Sequence, residues 1–169
     1  MKTLFPGLRA ANAVNLTLKK VVITKELGMS CDVYLAGEKL GAYVDRANGG
    51  GGHFYLTHET RAKLVKVARE NNLPTLAPLP EDDPLYVPSG PMNDEEFIDS
   101  VVVNLMFETH ELKSAKRKCK TNVLVVFSDS APGDYAAYKL TFDEGSKKAA
   151  ISKFGDKISF FVNEDILTL

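Results

Sequence analysis

The longest regular pattern of apolar and polar positions covers residues 93–120 and predicts an amphipathic helix. Apolar side chains recur there every three or four residues, at Ile98, Val101, Leu105 and Leu112. Asn93 and Glu96 have the spacing of a capping box, and the segment begins with acidic and ends with basic residues, as the helix dipole favours. The β-branched run at positions 101–103 is also compatible with a buried strand. The length of the pattern and its charged ends favour the helix, with Leu105 buried near its middle.

Shorter patterns earlier in the chain predict an antiparallel sheet. Residues 1–12 show little periodicity and contain a Pro-Gly pair, which predicts a loosely held arm. Residues 14–27 alternate as a strand does, with a slip of register near Lys19 and Lys20 that a bulge would explain. Residues 31–35 and 40–44 predict a hairpin, and residues 53–56 a further strand. A helix capped by Thr57 is predicted over residues 58–71.

The rest of the chain predicts a connector and a second lobe. Six of the eight prolines lie in residues 73–91, which predicts an extended segment. After the central helix we expect strands at 123–127 and 135–142, a helix at 143–154, a strand at 157–162 and a tail at 163–169. The predicted fold class is α+β. It comprises a β-meander with one helix (1–72), a Pro-rich connector (73–92), and the long central helix with a ββαβ lobe (93–169), as separate lobes or as one compact domain.

Composition indicates a globular protein of ordinary character. The chain has 169 residues, of which 44% are apolar and 25% charged. The net charge of −1 predicts no global attraction to nucleic acid or to a membrane. Two cysteines, Cys31 and Cys119, are too few for a disulfide framework and fit a reducing compartment. With no apolar run near the roughly 20 residues that span a bilayer, and no signal-peptide pattern at the start, we expect a cytoplasmic location.

A family resemblance rests on three parts of the chain. The first part is a short hairpin with Tyr34, Gly37 and Gly41, which is followed by a Gly-rich turn that begins at Asn48. A basic stretch at residues 116–120 precedes Val123 and Leu124, and the final part contains Phe154-Gly155-Asp156-Lys157 and continues to Asn163. This combination resembles small proteins of unassigned function encoded by bacteriophages and bacteria. The resemblance implies a phage or mobile-element accessory protein, located in the host cytoplasm if phage-encoded, and supplies no active site.

The loop before the strand at 53–56 is the most unusual local feature. Its candidate contact residues are Asp45, Arg46, Asn48, Gly49, Gly50, Gly51, Gly52 and His53. Bare backbone N–H groups can cradle a phosphate, which would suit a binder of a phosphorylated small molecule, or an enzyme acting on one. Neither glycine fingerprint of nucleotide binding is present. A flexible hairpin loop, or a close backbone contact with another chain, is the favoured interpretation.

The only dense basic block lies at the end of the central helix. Its five cations are Lys113, Lys116, Arg117, Lys118 and Lys120. Such a block can contact the phosphates of a nucleic acid. No aromatic side chains are interleaved with it for base stacking, and it is also compatible with a solvated helix end.

The sequence offers no catalytic constellation. His53, His58 and His110 lack the spacing of a zinc site, and the acidic runs at 81–83 and 94–96 are typical of a solvated face and of helix capping. The lysines beside Cys119 would lower the pKa of its thiol, but no partner base is evident. We expect no metal, no cofactor and no membrane partner. The favoured function is non-enzymatic binding of a protein, with nucleic acid as the alternative and a phosphorylated small molecule as the second alternative.

Overall fold

A computed structural model of the chain describes residues 2–48, 52–78 and 90–169. The elements, in chain order, are α1 (Pro6–Ala13), β1 (Leu16–Ile23), β2 (Met29–Leu35), β3 (Glu38–Asp45), β4 (His53–Tyr55), α2 (His58–Glu70), α3 (Asp94–Lys118), β5 (Val123–Phe127), β6 (Ala136–Tyr138), α4 (Glu144–Phe154), β7 (Ile158–Phe161) and α5 (Val162–Leu167). The predicted α+β class is confirmed. None of the helices in the described ranges is both long and apolar enough to cross a membrane.

The chain divides into two compact units. One consists of Gly7–His110, and the other of Met1–Pro6 with Glu111–Leu169, so the boundary falls within α3. The predicted connector, residues 73–92, belongs to the first of these units by chain position, and its residues 79–89 lie outside the described part of the chain.

The unit Gly7–His110 contains a four-stranded antiparallel sheet in the order β1-β2-β3-β4. The predicted hairpin is β2 and β3, and the predicted third strand of the meander is β4. The predicted slip of register in the first strand is also confirmed, because the pairing of β1 with β2 shifts between Lys19 and Val22. Lys20 takes a left-handed φ of 53° within that irregularity, which turns the strand locally and keeps apolar side chains on the core side.

One face of this sheet packs with helices into the core of the unit. The buried residues come from the strands, α2 and α3, and include Leu16, Val33, Leu35, Tyr43, Leu64, Ala68, Ile98, Val102, Leu105 and Met106. Thr57 caps α2 by accepting the N–H of Thr60, as predicted. Two ion pairs join α2 to α3: Arg61 with Glu95 at 2.8 Å and Arg69 with Asp94 at 2.7 Å.

The central helix α3 has the predicted cap, and of the predicted stripe Ile98, Val101 and Leu105 are buried while Leu112 is half-buried. The Asn93 side chain accepts the N–H groups of Glu95 and Glu96, and Glu96 accepts the N–H of Asn93 in return. The β-branched run at 101–103 is helical and buried. The alternative of a buried strand there is therefore excluded.

The unit Met1–Pro6 with Glu111–Leu169 contains a three-stranded antiparallel sheet in the order β6-β5-β7. Val123, Val125 and Phe161 form its core, with Tyr138, Phe142, Ala150 and Ile158 among the half-buried side chains packed against them. Asp143 and Ser146 form a capping box at the start of α4. The strand predicted over residues 135–142 is shorter than expected and spans only Ala136–Tyr138.

The predictions of a loosely held arm at residues 1–12 and of a tail at residues 163–169 are both wrong. Residues 6–13 form α1, whose first N–H groups, those of Gly7 and Leu8, are accepted by the Glu108 carboxylate at 2.9 and 2.8 Å. Within the other unit, the buried Asp165 carboxylate accepts the Thr3 hydroxyl and the Leu4 N–H. Both segments are thus ordered by partners about 100 or more positions away in the sequence, which local periodicity does not reveal.

Residues 163–167 of the predicted tail belong to α5 (Val162–Leu167), which also takes in the last residue of the predicted strand 157–162. This helix carries a buried side chain that completes the sheet. The Asn163 side-chain oxygen accepts the N–H of Leu124 at 2.7 Å, and its amide nitrogen donates to the Asn122 carbonyl at 3.0 Å. The side chain therefore takes the place of a strand beside the start of β5, where both backbone groups would otherwise lack partners.

Candidate functional site

The structure places part of the predicted loop site around a small depression. The depression lies at one end of the β3–β4 pair and measures about 140 Å³. It is lined by the predicted residues Arg46, Asn48 and His53, together with Val44 and Tyr55. Gly49, Gly50 and Gly51 lie outside the described residues. Asp45 acts as a turn residue, because its carboxylate accepts the N–H of Ala47. The depression thus brings together an arginine, an imidazole, an amide and a phenol.

Gly52 is a packing residue. A Cβ atom at this position would overlap the ring and hydroxyl of Tyr43, so the close backbone contact expected for the glycine-rich loop is made here with the chain's own tyrosine. Tyr43 is only 1% exposed and its hydroxyl is hydrogen-bonded to Asp99. Burial raises the pKa of both groups. The pair is a satisfied polar contact within the core.

One cation of the predicted basic block is hydrogen-bonded within its own unit. Lys116, Arg117 and Lys120 are exposed, and so is Lys113. Lys118 donates to the Tyr135 hydroxyl at 2.8 Å, which in turn donates to Glu111 at 2.6 Å. The Tyr135 hydrogen bond raises the pKa of Lys118. The sequence analysis missed Tyr135 and Glu111 here, because only the fold brings residue 135 beside α3.

The solvent-facing side of the four-stranded sheet holds a group of residues that the sequence analysis did not single out. The register places Lys19 opposite Asp32, Asp32 opposite Ala42, and Ala42 opposite Tyr55, so these positions share one face. Tyr34 and His53 occupy the same face through their pairings with Thr17 and Val44. Alternation along the strands is the signal that could have found them.

Contacts within this outer face fix several of its charged groups. The Lys19 ammonium lies 4.2 Å from the centre of the Tyr34 ring. Asp32 is 8% exposed and sits between Lys39 at 2.7 Å and Lys20 at 3.1 Å. Hydrogen bonds from Lys39 and then Lys20 lower the pKa of the Asp32 carboxyl. The carboxylate therefore stays ionised and holds two ammonium groups on the sheet.

An apolar groove lies between β6 and α4 in the other unit. It measures about 130 Å³ and is lined by Val123, Tyr138, Leu140, Ser146, Ala149, Ala150, Lys153 and Phe154. Leu140 is 55% exposed, and α4 contains no buried residue. Residues 146, 149, 150 and 153 recur at helical spacing, so one face of α4 forms a wall of the groove. Sequence reasoning missed this groove because it treated Leu140 as part of a continuous strand.

The remaining features do not form a reaction centre. A cavity of about 380 Å³ borders β7 and α5, and its buried carboxylate, Asp165, is engaged by Thr3 and Leu4. Across the described ranges no three metal-ligating side chains cluster. The prediction of a lowered pKa for Cys119 is wrong, because burial raises it. Burial likewise raises the pKa of Cys31 to about 12, so neither thiol is activated.

Comparisons with known proteins add no further constraint. No family model, curated protein or solved structure matches the chain. Function must therefore be inferred from the surfaces described above.

Proposed function

We propose that the protein is a non-enzymatic binding protein whose groove between β6 and α4 accepts a segment of another protein. The observation that carries this proposal is the apolar groove itself, with Leu140 more than half exposed beside a helix in which no residue is fully buried. An apolar concavity that is open to solvent offers contact surface to an apolar side chain of a partner. An accessory role in a phage or mobile element, acting on a host or phage protein, is part of the proposal.

The dimensions of the groove favour a peptide segment over a small molecule. Its volume of about 130 Å³ is well below the roughly 300–1,000 Å³ of small-molecule sites, and suits the insertion of an apolar side chain. β6 is an edge strand, hydrogen-bonded on one side to β5. An extended segment can therefore add to its outer edge while placing alternate side chains against the groove.

The charge around the groove defines the partner further. Among its lining residues the one charged side chain is Lys153, and none is acidic. Lys139 and Lys148 are exposed just after β6 and within α4. No ion pair between Lys153 and a carboxylate occurs in the part of the chain that is described. We therefore expect the bound segment to combine an apolar side chain with an acidic one.

A peptide-display selection on the purified protein tests this proposal. Enriched peptides should pair an apolar residue with Asp or Glu. Their affinity should fall about tenfold or more for Ala149→Glu, which obstructs and acidifies the groove. Ser152→Glu is the matched control, because it makes the same charge change at an exposed α4 position outside the groove. Circular dichroism checks that both variants fold. Failure to enrich any peptide, or equal binding by the Ala149→Glu variant, would rule the groove out.

A further inference from the structure

The outer face of the four-stranded sheet, formed by outward-facing residues of β1–β4, combines aromatic rings with a surplus of positive charge. Its aromatic side chains are Tyr34, His53 and Tyr55, and its cations are Lys19, Lys20 and Lys39, with Arg46 next to the end of β3. Asp32 is the carboxylate that the strand register places on this face, so four cations against one anion leave three positive charges. The whole chain, by contrast, carries a net charge of −1. This face therefore carries a local surplus of positive charge.

Tyr55 is the tyrosine of this face whose ring is most open to a ligand. Tyr55 is 61% exposed on the edge strand β4. Lys19 covers the Tyr34 ring at 4.2 Å, which positions that ring with a cation already beside it. One strand, β3, lies between β2 and β4, and the register places Tyr55 level with Asp32, two residues from Tyr34. The Cα atoms of the two tyrosines are therefore roughly 12 Å apart. That spacing suits two bases of one extended nucleic-acid strand that have one nucleotide between them.

The depression beside Tyr55 adds polar recognition. Arg46, Asn48 and His53 line its space of about 140 Å³ together with Tyr55 and Val44. Guanidinium and imidazole groups bind phosphate oxygens well, and an amide can pair with a base edge. Arg46 is exposed, and among the described residues it forms no ion pair. Its charge is therefore available to an incoming anion.

We propose that this outer face binds single-stranded nucleic acid. Bases stack on Tyr55 and Tyr34, while the lysines of the face and Arg46 contact the phosphates. A duplex keeps its bases stacked inside and cannot offer them to a flat sheet. The site is independent of the β6–α4 groove and differs from the basic block at residues 113–120, where the described neighbouring ring, Tyr135, is hydrogen-bonded to Lys118 and Glu111.

Fluorescence anisotropy with a labelled single strand of about 12 nucleotides tests the proposal. In about 50 mM salt, where phosphate contacts are strong, the parent protein should bind this strand more tightly than a duplex of the same length. Tyr55→Ala should weaken binding about fivefold or more. Tyr55→Phe should bind as tightly as the parent protein, because stacking needs the ring alone. Arg46→Ala should reduce the slope of log affinity against log salt by about 0.7.

Arg117→Ala is the matched control for Arg46→Ala, because it removes an exposed arginine from the basic block. We expect it to leave affinity and salt slope unchanged. If Arg117→Ala weakens binding while Arg46→Ala and Tyr55→Ala do not, the proposal is overturned in favour of the block. Absence of binding at low salt, or binding insensitive to Tyr55→Ala, also overturns it. None of these results bears on peptide binding at the groove, which Ala149→Glu tests separately.

Discussion

Truncating Leu105 to alanine tests whether α3 is the helix around which the core of its unit is packed. Leu105 is 1% exposed and lies among the buried side chains of that core. The change removes three carbon atoms, and at about 0.8 kcal/mol for each buried carbon the lost transfer free energy is about 2.4 kcal/mol. The cavity left behind brings the expected loss to about 2–5 kcal/mol. That is a large part of the roughly 5–15 kcal/mol that stabilises a typical domain.

Urea unfolding followed by far-ultraviolet circular dichroism measures this loss. The helical signal is the suitable probe, because the chain contains no tryptophan. With a denaturant slope of about 1–3 kcal/mol per molar urea, the midpoint should fall by about 1 M or more. Lys116→Ala, at an exposed position of the same helix, should change the free energy of unfolding by less than about 0.5 kcal/mol. A Leu105→Ala protein with the parental midpoint would refute the assignment of this stripe to the core.

Two further predictions concern buried titratable groups. Burial raises the pKa of Glu108 despite the N–H groups that it accepts, so its ionisation costs stability as the pH rises from the unfolded-state value of about 4.3 through the raised folded value. Glu108→Gln should therefore gain stability relative to the parent across that range in urea melts, and a difference that does not vary with pH would contradict this. Cys31, 3% exposed with its pKa raised to about 12, should resist a thiol reagent at neutral pH until urea is added. If Cys31 in the native protein were modified at the same rate as Cys119, the core around Cys31 would have to open, and the prediction would be wrong.

The elements predicted correctly are those that are determined by interactions between residues close together in the sequence. The cap of α3 joins Asn93 to Glu96, and the slip in β1 lies where two adjacent lysines interrupt the alternation. A hairpin is specified by its own turn and by the strands on either side. In each case a window of a few residues contains both partners of the deciding interaction.

The elements that were missed depend on distant partners. The start of α1 needs Glu108, and residues 3 and 4 need Asp165, so neither segment shows a local signal of order. The candidate sites were missed for a similar reason. Tyr34 and Tyr55 belong to different strands, and only the register of the sheet places them on one face. The glycine run attracted attention in the sequence, whereas the described side chains that line the depression include Arg46, Asn48 and His53 on either side of it.

The amide of Asn163 limits which amino acids this position can accept. One oxygen must accept from Leu124 while the adjacent nitrogen donates to Asn122. Aspartate would set an oxygen against the Asn122 carbonyl, leucine would leave both backbone groups unpaired, and glutamine would extend the amide by a methylene group. Asparagine alone offers a donor and an acceptor side by side at this length. In distant relatives that keep the fold, an asparagine placed just after the last strand should therefore persist where the surface residues have diverged, and it can serve as a fingerprint for finding them.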